Sequence, residues 1–123
     1  EHVLRAGDHA TTFGGNPVCC AGANAVLNRL TDAFLSEVRA KGGWLSAQLS
    51  GMPHVTGVTG LGLMIGVSFT PEISAKAVAA RCLDAGLLTL TAKEKLRLLP
   101  PLTISRKELA KAADILQSVL EQY

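Results

Sequence analysis

Residues 17–30 read Pro-Val-Cys-Cys-Ala-Gly-Ala-Asn-Ala-Val-Leu-Asn-Arg-Leu, an apolar run interrupted only by Asn24, Asn28 and Arg29. With Asn16 placed to cap and Pro17 in the first turn, the run predicts a helix to about Leu30. So few polar side chains predict burial around nearly its whole circumference. The small residues from Val18 to Ala23 would permit close backbone approach, to a partner in the rest of a longer protein or in a second chain. Thr31 or Asp32 then caps a second helix to about Leu49, with Phe34, Val38, Lys41, Leu45 and Leu49 at helical spacing. Gly42 and Gly43 lie inside it and cost about 1 kcal/mol each relative to alanine, which predicts a kink or a tight packing contact. Trp44, the sole tryptophan, reads as a lid on a small core.

From Gly51 the period changes. Val55 to Val58 predicts a short strand, and Gly60 and Gly62 a turn. Leu63, Ile65, Val67 and Phe69 then alternate with Met64, Gly66 and Ser68, as a strand with one buried face does. Thr70-Pro71 predicts the start of a third helix, with Ile73, Ala77, Ala80 and Asp84 as a stripe beside Val78 and Cys82 and Gly86 just past its end. Leu87 to Thr91 and Leu96 to Leu99 predict a hairpin about a turn at Ala92 to Glu94. Pro100-Pro101 ends it, because neither residue can donate to a ladder. Ser105 and Glu108 form a capping-box pattern for a last helix whose core face is Leu109, Ala112, Ala113, Leu116, Val119 and Leu120. The fold class is α/β in the two-layer, α+β sense: a small antiparallel sheet of three or four strands with helices on one face.

A chain of 123 residues can bury one modest core, so one domain with an appendage is expected. Its formal charge of +2 is spread along the chain, with no basic cluster to argue for nucleic acid. No apolar run reaches a membrane-spanning length and the start lacks the order of a signal peptide, so the chain reads as soluble and cytoplasmic, with no membrane partner. Cys19, Cys20 and Cys82 suggest neither a disulfide framework nor, lacking histidines at ligand spacing, a metal site. They read as small buried hydrophobes. Glu1 to Ala10 is polar and aperiodic, the cut end of a longer structure. His9, a lone histidine in a turn, reads as structural.

Candidate chemistry sits in two places. In Thr11-Thr12-Phe13-Gly14-Gly15-Asn16-Pro17 two hydroxyls and two glycines precede a helix start. Hydroxyls donate to anions and glycines let backbone amides come close, although the same residues also suit a plain turn whose hydroxyls finish local backbone bonds. Arg97 stands between Leu96 and Leu98, so the period of two turns it away from the face the leucines bury, free for a bidentate pair with a carboxylate. Lys41, Lys76, Lys93, Lys95, Lys107 and Lys111 read as solvated charges, and none has the buried setting that would lower its pKa.

Three segments together resemble the class III, pyridoxal-phosphate-dependent aminotransferases. They are Gly7-Asp8-His9-Ala10-Thr11-Thr12-Phe13-Gly14-Gly15-Asn16-Pro17, then Gly60-Leu61-Gly62-Leu63-Met64-Ile65-Gly66, then Leu96-Arg97-Leu98-Leu99-Pro100-Pro101-Leu102-Thr103-Ile104. Their order matches too, and their wording is nearest the acetylornithine branch, with the ornithine and 4-aminobutyrate branches close by. The resemblance implies a C-terminal part of a longer homodimeric transaminase, with residues 1–25 ending the large cofactor-binding domain and 26–123 forming the small domain. It implies that Arg97 binds the substrate α-carboxylate. Thr12, and less directly Thr11, would donate to the phosphate of pyridoxal 5'-phosphate held by the neighbouring subunit. The lysine that carries the cofactor lies upstream in the family, so no catalytic residue is expected here and the chain alone should be inactive. A free-standing, non-catalytic α/β binding module is the rival expectation.

Overall fold

The computed structural model describes Asp8 and residues 11–123. The expectations for Glu1 to Ala10, His9 among them, therefore lie outside the described residues, Asp8 apart. By contacts the chain divides into two compact units, Glu1–Phe34 and Leu35–Tyr123.

The first unit holds helix α1, Pro17–Leu27. It ends three residues before the expected Leu30. Asn28 caps it through its backbone N–H, and Arg29 and Leu30 donate to the Val26 and Leu27 carbonyls, so the exit tightens into 3₁₀-like turns. No residue of α1 is buried within this chain, so the burial its sequence predicts would have to come from the rest of a longer protein or from a second chain. Helix α2, Asp32–Ser50, starts at the end of this unit, where Phe34 N–H donates to Thr31 Oγ1 at 3.2 Å.

In the second unit α2 buries Val38, Lys41, Gly42, Leu45 and Leu49. The helix runs unbroken past Gly42 and Gly43, so of the two expected outcomes it is the packing contact that occurs. A Cβ at residue 42 would overlap the Gly62 carbonyl, while one at residue 43 would meet nothing. Lys41 is buried and pairs with Glu37 at 3.0 Å, which corrects its reading as a solvated charge. Its position in the apolar seam, one helical turn from a carboxylate, decides the matter.

The sheet has four antiparallel strands: β1 Val55–Leu61, β2 Met64–Phe69, β3 Leu90–Ala92 and β4 Lys95–Leu98, in the order β1-β2-β4-β3. β1 runs three residues further than the sequence suggested, and the tight turn is Gly62-Leu63, with Gly62 at φ +56. β3 is shorter than expected, leaving Leu87 to Thr89 outside the ladder. The connecting turn is Lys93-Glu94, with Lys93 in the left-handed region at φ +54. Leu63, Ile65, Val67 and Leu96 are buried on the side that helices cover, and Thr59, Lys95 and Met64 stand on the other.

Helix α3 spans Ala75–Asp84, starting later than Thr70-Pro71 suggested. Those residues form a turn closed by Ile73 N–H to the Thr70 carbonyl at 3.0 Å. The later start changes the phase, so Ala75, Val78 and Cys82 are buried and Ala77, Ala80 and Asp84 are exposed. Gly86, at φ +85, closes the helix as expected. Leu87 N–H reaches the Cys82 carbonyl at 2.7 Å and Gly86 N–H the Leu83 carbonyl at 3.0 Å, the two bonds of a Schellman motif. Helix α4, Arg106–Leu120, carries the full capping box and buries Leu109, Ala113, Leu116, Val119 and Leu120. Ala112 is half-buried. Four strands with helices on one face make the expected two-layer α/β arrangement.

Candidate substrate and cofactor site

In the first unit the turn 12–15 leads into Asn16. Asn16 N–H bonds the Phe13 carbonyl at 3.2 Å, and Gly15 takes the left-handed conformation, φ +75, that lets the turn close. Asn16 Oδ1 accepts from Val18 N–H at 3.0 Å and Cys19 N–H at 3.2 Å. Two of the first amides of α1 are thus already satisfied by their own cap. Thr11 and Thr12 are exposed. Among the described residues their hydroxyls make no hydrogen bond, so the plain reading, in which they finish the turn's backbone bonds, does not describe them. Hydroxyls so placed could donate to an anion in front of the capped helix.

The second unit holds Arg97. It lies on β4 opposite Gly66 of β2 on one side and Leu90 of β3 on the other. Glycine at residue 66 puts no side chain next to the guanidinium. Arg97 borders a cleft of about 400 Å³ walled by Leu88, Leu90, Leu99 and Pro100 and, from α2 and α4, by Leu45, Leu49, Leu109 and Leu116. The side chain is half-buried, and its Nε is fully buried without a hydrogen-bond partner. The alternation placed Arg97 correctly on the face away from Leu96, but burial of its Nε leaves the head less free than expected. A buried donor without a partner costs about 1–3 kcal/mol, and a place in a binding site is one of the few reasons for a fold to keep one. Thr89 Oγ1, on the wall of the same cleft, is buried and unpartnered too. Sequence reasoning passed over Thr89, whose only signal was a lone hydroxyl among leucines.

Other candidates resolve simply. Cys82 is buried, and burial pushes its thiol up to about 11, which leaves it a neutral thiol at physiological pH. Cys19 and Cys20 are exposed, which corrects their reading as buried hydrophobes; they share the uncovered surface of α1. Among the described residues no group of three His, Cys, Asp or Glu side chains could hold a metal ion, and no helix is long and apolar enough to cross a membrane. Lys41, the one buried lysine among them, is engaged by Glu37. No described residue therefore offers the free, desolvated amine that would carry a pyridoxal cofactor.

Comparison with known proteins places these features in a family. The model of the class-III aminotransferases matches residues 1–120, and the chain belongs to that family. The acetylornithine aminotransferase of Haemophilus ducreyi is 50% identical over 120 residues, covering 98% of this chain and 30% of that protein. A solved acetylornithine aminotransferase from Elizabethkingia anophelis matches with a TM-score of 0.78 and 29% identity, over 98% of this chain and 34% of that one. An ornithine aminotransferase from Toxoplasma gondii, solved with PLP partly occupying its active site, matches with a TM-score of 0.79 and 27% identity, over 98% of this chain and 30% of its own. The chain thus spans at most 34% of the length of these three proteins. The resemblance seen in the three sequence segments is borne out.

Proposed function

We propose that the chain is the C-terminal part of an acetylornithine aminotransferase, which moves an amino group between acetylornithine and 2-oxoglutarate in arginine biosynthesis, as a homodimer in the cytoplasm. In this reading residues 1–25 end the large domain and 26–123 form the small one. Identity of 50% to an acetylornithine enzyme over nearly the whole chain supports the branch. The observation that carries the site is Arg97, a guanidinium with a buried, unpartnered Nε at an apolar cleft. Its fork pairs with the substrate α-carboxylate, and the leucines and prolines around it keep water from competing for that pair. Thr12 and Thr11 donate to the phosphate of pyridoxal phosphate across the dimer. When bound, that cofactor supplies the electron sink for exchange of an amino group with a keto oxygen. The amine that holds the cofactor comes from the rest of the protein, so the isolated chain does not transaminate.

Arg97→Ala in the full-length enzyme tests the reading. We expect kcat/KM for glutamate to fall by about 2 to 4 kcal/mol in transition-state binding, since a charged hydrogen-bonded pair is lost. An unchanged kcat/KM removes Arg97 from the site. The match to solved ornithine aminotransferases with a TM-score of 0.79 favours ornithine as the second substrate reading. Rates with acetylornithine, ornithine and 4-aminobutyrate, measured side by side, decide among the three.

A further inference from the structure

One rung of the sheet crosses all four strands: Thr59 on β1 faces Gly66 on β2, Gly66 faces Arg97 on β4, and Arg97 faces Leu90 on β3. Lys95 precedes Arg97 by two residues on β4 and so stands on the same face. Its ammonium has a partner on the surface of the sheet. Nζ reaches diagonally over β2 and donates to Thr59 Oγ1 at 3.1 Å. On that path the stem crosses Gly66, where a Cβ would stand 3.4 Å from Lys95 Cδ and 3.4 Å from Thr59 Oγ1. Glycine at residue 66 thus opens the lane along which Lys95 crosses.

The charge arrangement is one-sided. Two cations share one face two residues apart on a strand, and like charges so placed repel. Among the described residues the only ion pair is Lys41 with Glu37, so neither Lys95 nor Arg97 is neutralised by a carboxylate there. Thr59 holds the lysine by its hydroxyl, which fixes the ammonium without cancelling its charge. Exposed Leu61, Met64 and Leu90 share this face with Thr59 and Ser68, and none of these carries a charge.

We propose that Lys95, tethered by Thr59, is a second cation of the carboxylate subsite, a positioning residue that draws anionic substrates onto Arg97. The proposal rests on the reading of Arg97 given above. Lys95 acts on the substrate's charge before and during the reaction alike, so it strengthens binding uniformly and is felt in KM rather than kcat. Dicarboxylic substrates, glutamate and 2-oxoglutarate, gain more from it than substrates with a single free carboxylate.

The test uses the full-length enzyme with Lys95→Met, which keeps the stem and removes the charge, beside Arg97→Ala. We expect Lys95→Met to raise KM for glutamate and 2-oxoglutarate by roughly three- to tenfold, with kcat within about twofold of the parent. The dependence of kcat/KM on ionic strength should become shallower. Lys95→Arg should restore both, and Thr59→Val, which cuts the tether and keeps the charge, should raise KM by less. Should Lys95→Met fail to fold, Lys95→Gln is read in the same way. Unchanged KM and salt dependence in the charge-removing variant, or a loss of melting temperature alone, overturns the proposal. If Arg97→Ala also leaves kcat/KM unchanged, the carboxylate subsite itself falls; if only Arg97→Ala has an effect, the role of Lys95 alone is rejected.

Discussion

Helices α1 and α4 answer differently to the same force. α1 has no charged side chain along its length and buries none of its residues, whereas α4 alternates Arg106, Lys107, Glu108, Lys111 and Asp114 with five buried apolar positions. Burial in this chain follows periodicity rather than hydrophobicity. An amphipathic helix presents one stripe, and the buried face of a single sheet is enough to cover it. A helix apolar on all sides asks for neighbours all round, more than a two-layer unit provides. Residues 35–123 hold a core of their own, whereas α1 buries none of its residues.

That contrast can be broken most sharply at Leu116, which is almost fully buried on α4. Leu116→Ala should lower the unfolding free energy of the chain by about 2 to 5 kcal/mol. Val26→Ala on α1 should change it by no more than about 0.5 kcal/mol. Urea titration of the two variants measures both, and a comparable loss at Val26 would mean that α1 is covered after all.

Thr12→Val probes the first unit where it should matter. In the full-length enzyme the cofactor concentration for half-saturation should rise by the equivalent of about 1.5 to 3 kcal/mol, the usual worth of a hydrogen bond to a charged group. The melting temperature of the isolated chain should not move. Equal cofactor affinity in both forms would return Thr12 to an ordinary turn residue.

Neighbouring glycines in α2 give a third comparison. Gly42→Ala forces a methyl group onto the Gly62 carbonyl and should cost about 1 to 3 kcal/mol, as overpacking does. Gly43→Ala meets nothing and should stabilise by about 1 kcal/mol through helix propensity. Thermal melts that fail to separate the two would show that α2 does not lean on the β1–β2 turn.

The smallest effect concerns acid. Hydrogen bonds from the Ser105 hydroxyl and backbone hold the Glu108 carboxylate below its ordinary value of 4.5. A depressed folded-state pKa adds stability that is present above the unfolded value and is lost as pH falls through the folded one. Glu108→Gln should therefore lower stability slightly at neutral pH and converge with the parent well below about pH 4.5, which flattens the acid limb of the stability curve. A parallel shift at all pH values would assign the effect to the cap's geometry rather than its charge.

Much of the fold could be read before any coordinates. The Asn16-Pro17 start, the capping box at Ser105 and Glu108, the glycine stop at Gly86 and the alternation of Ile65 and Val67 are written in residues that touch within a few positions of each other. Arg97 was legible in the same way, as the odd member between two leucines. The phase of α3 was not, because Pro71 is an equally good turn residue and only packing selected Ala75 as the first helical position. Nor was Lys41, where a seam position competed with a charged side chain and the carboxylate one turn earlier decided between them.

By itself, then, the order of residues determined where elements begin and end, which face of each is apolar, and the family to which the chain belongs. Only the tertiary structure decided that Thr59, Gly66 and Arg97 share a rung, that Lys95 crosses it, and that no residue of α1 is buried within this chain. The reason is range. Caps, turns and periodicity are fixed by neighbours along the chain, whereas strand register and burial depend on groups dozens of residues away, whose approach no local pattern encodes.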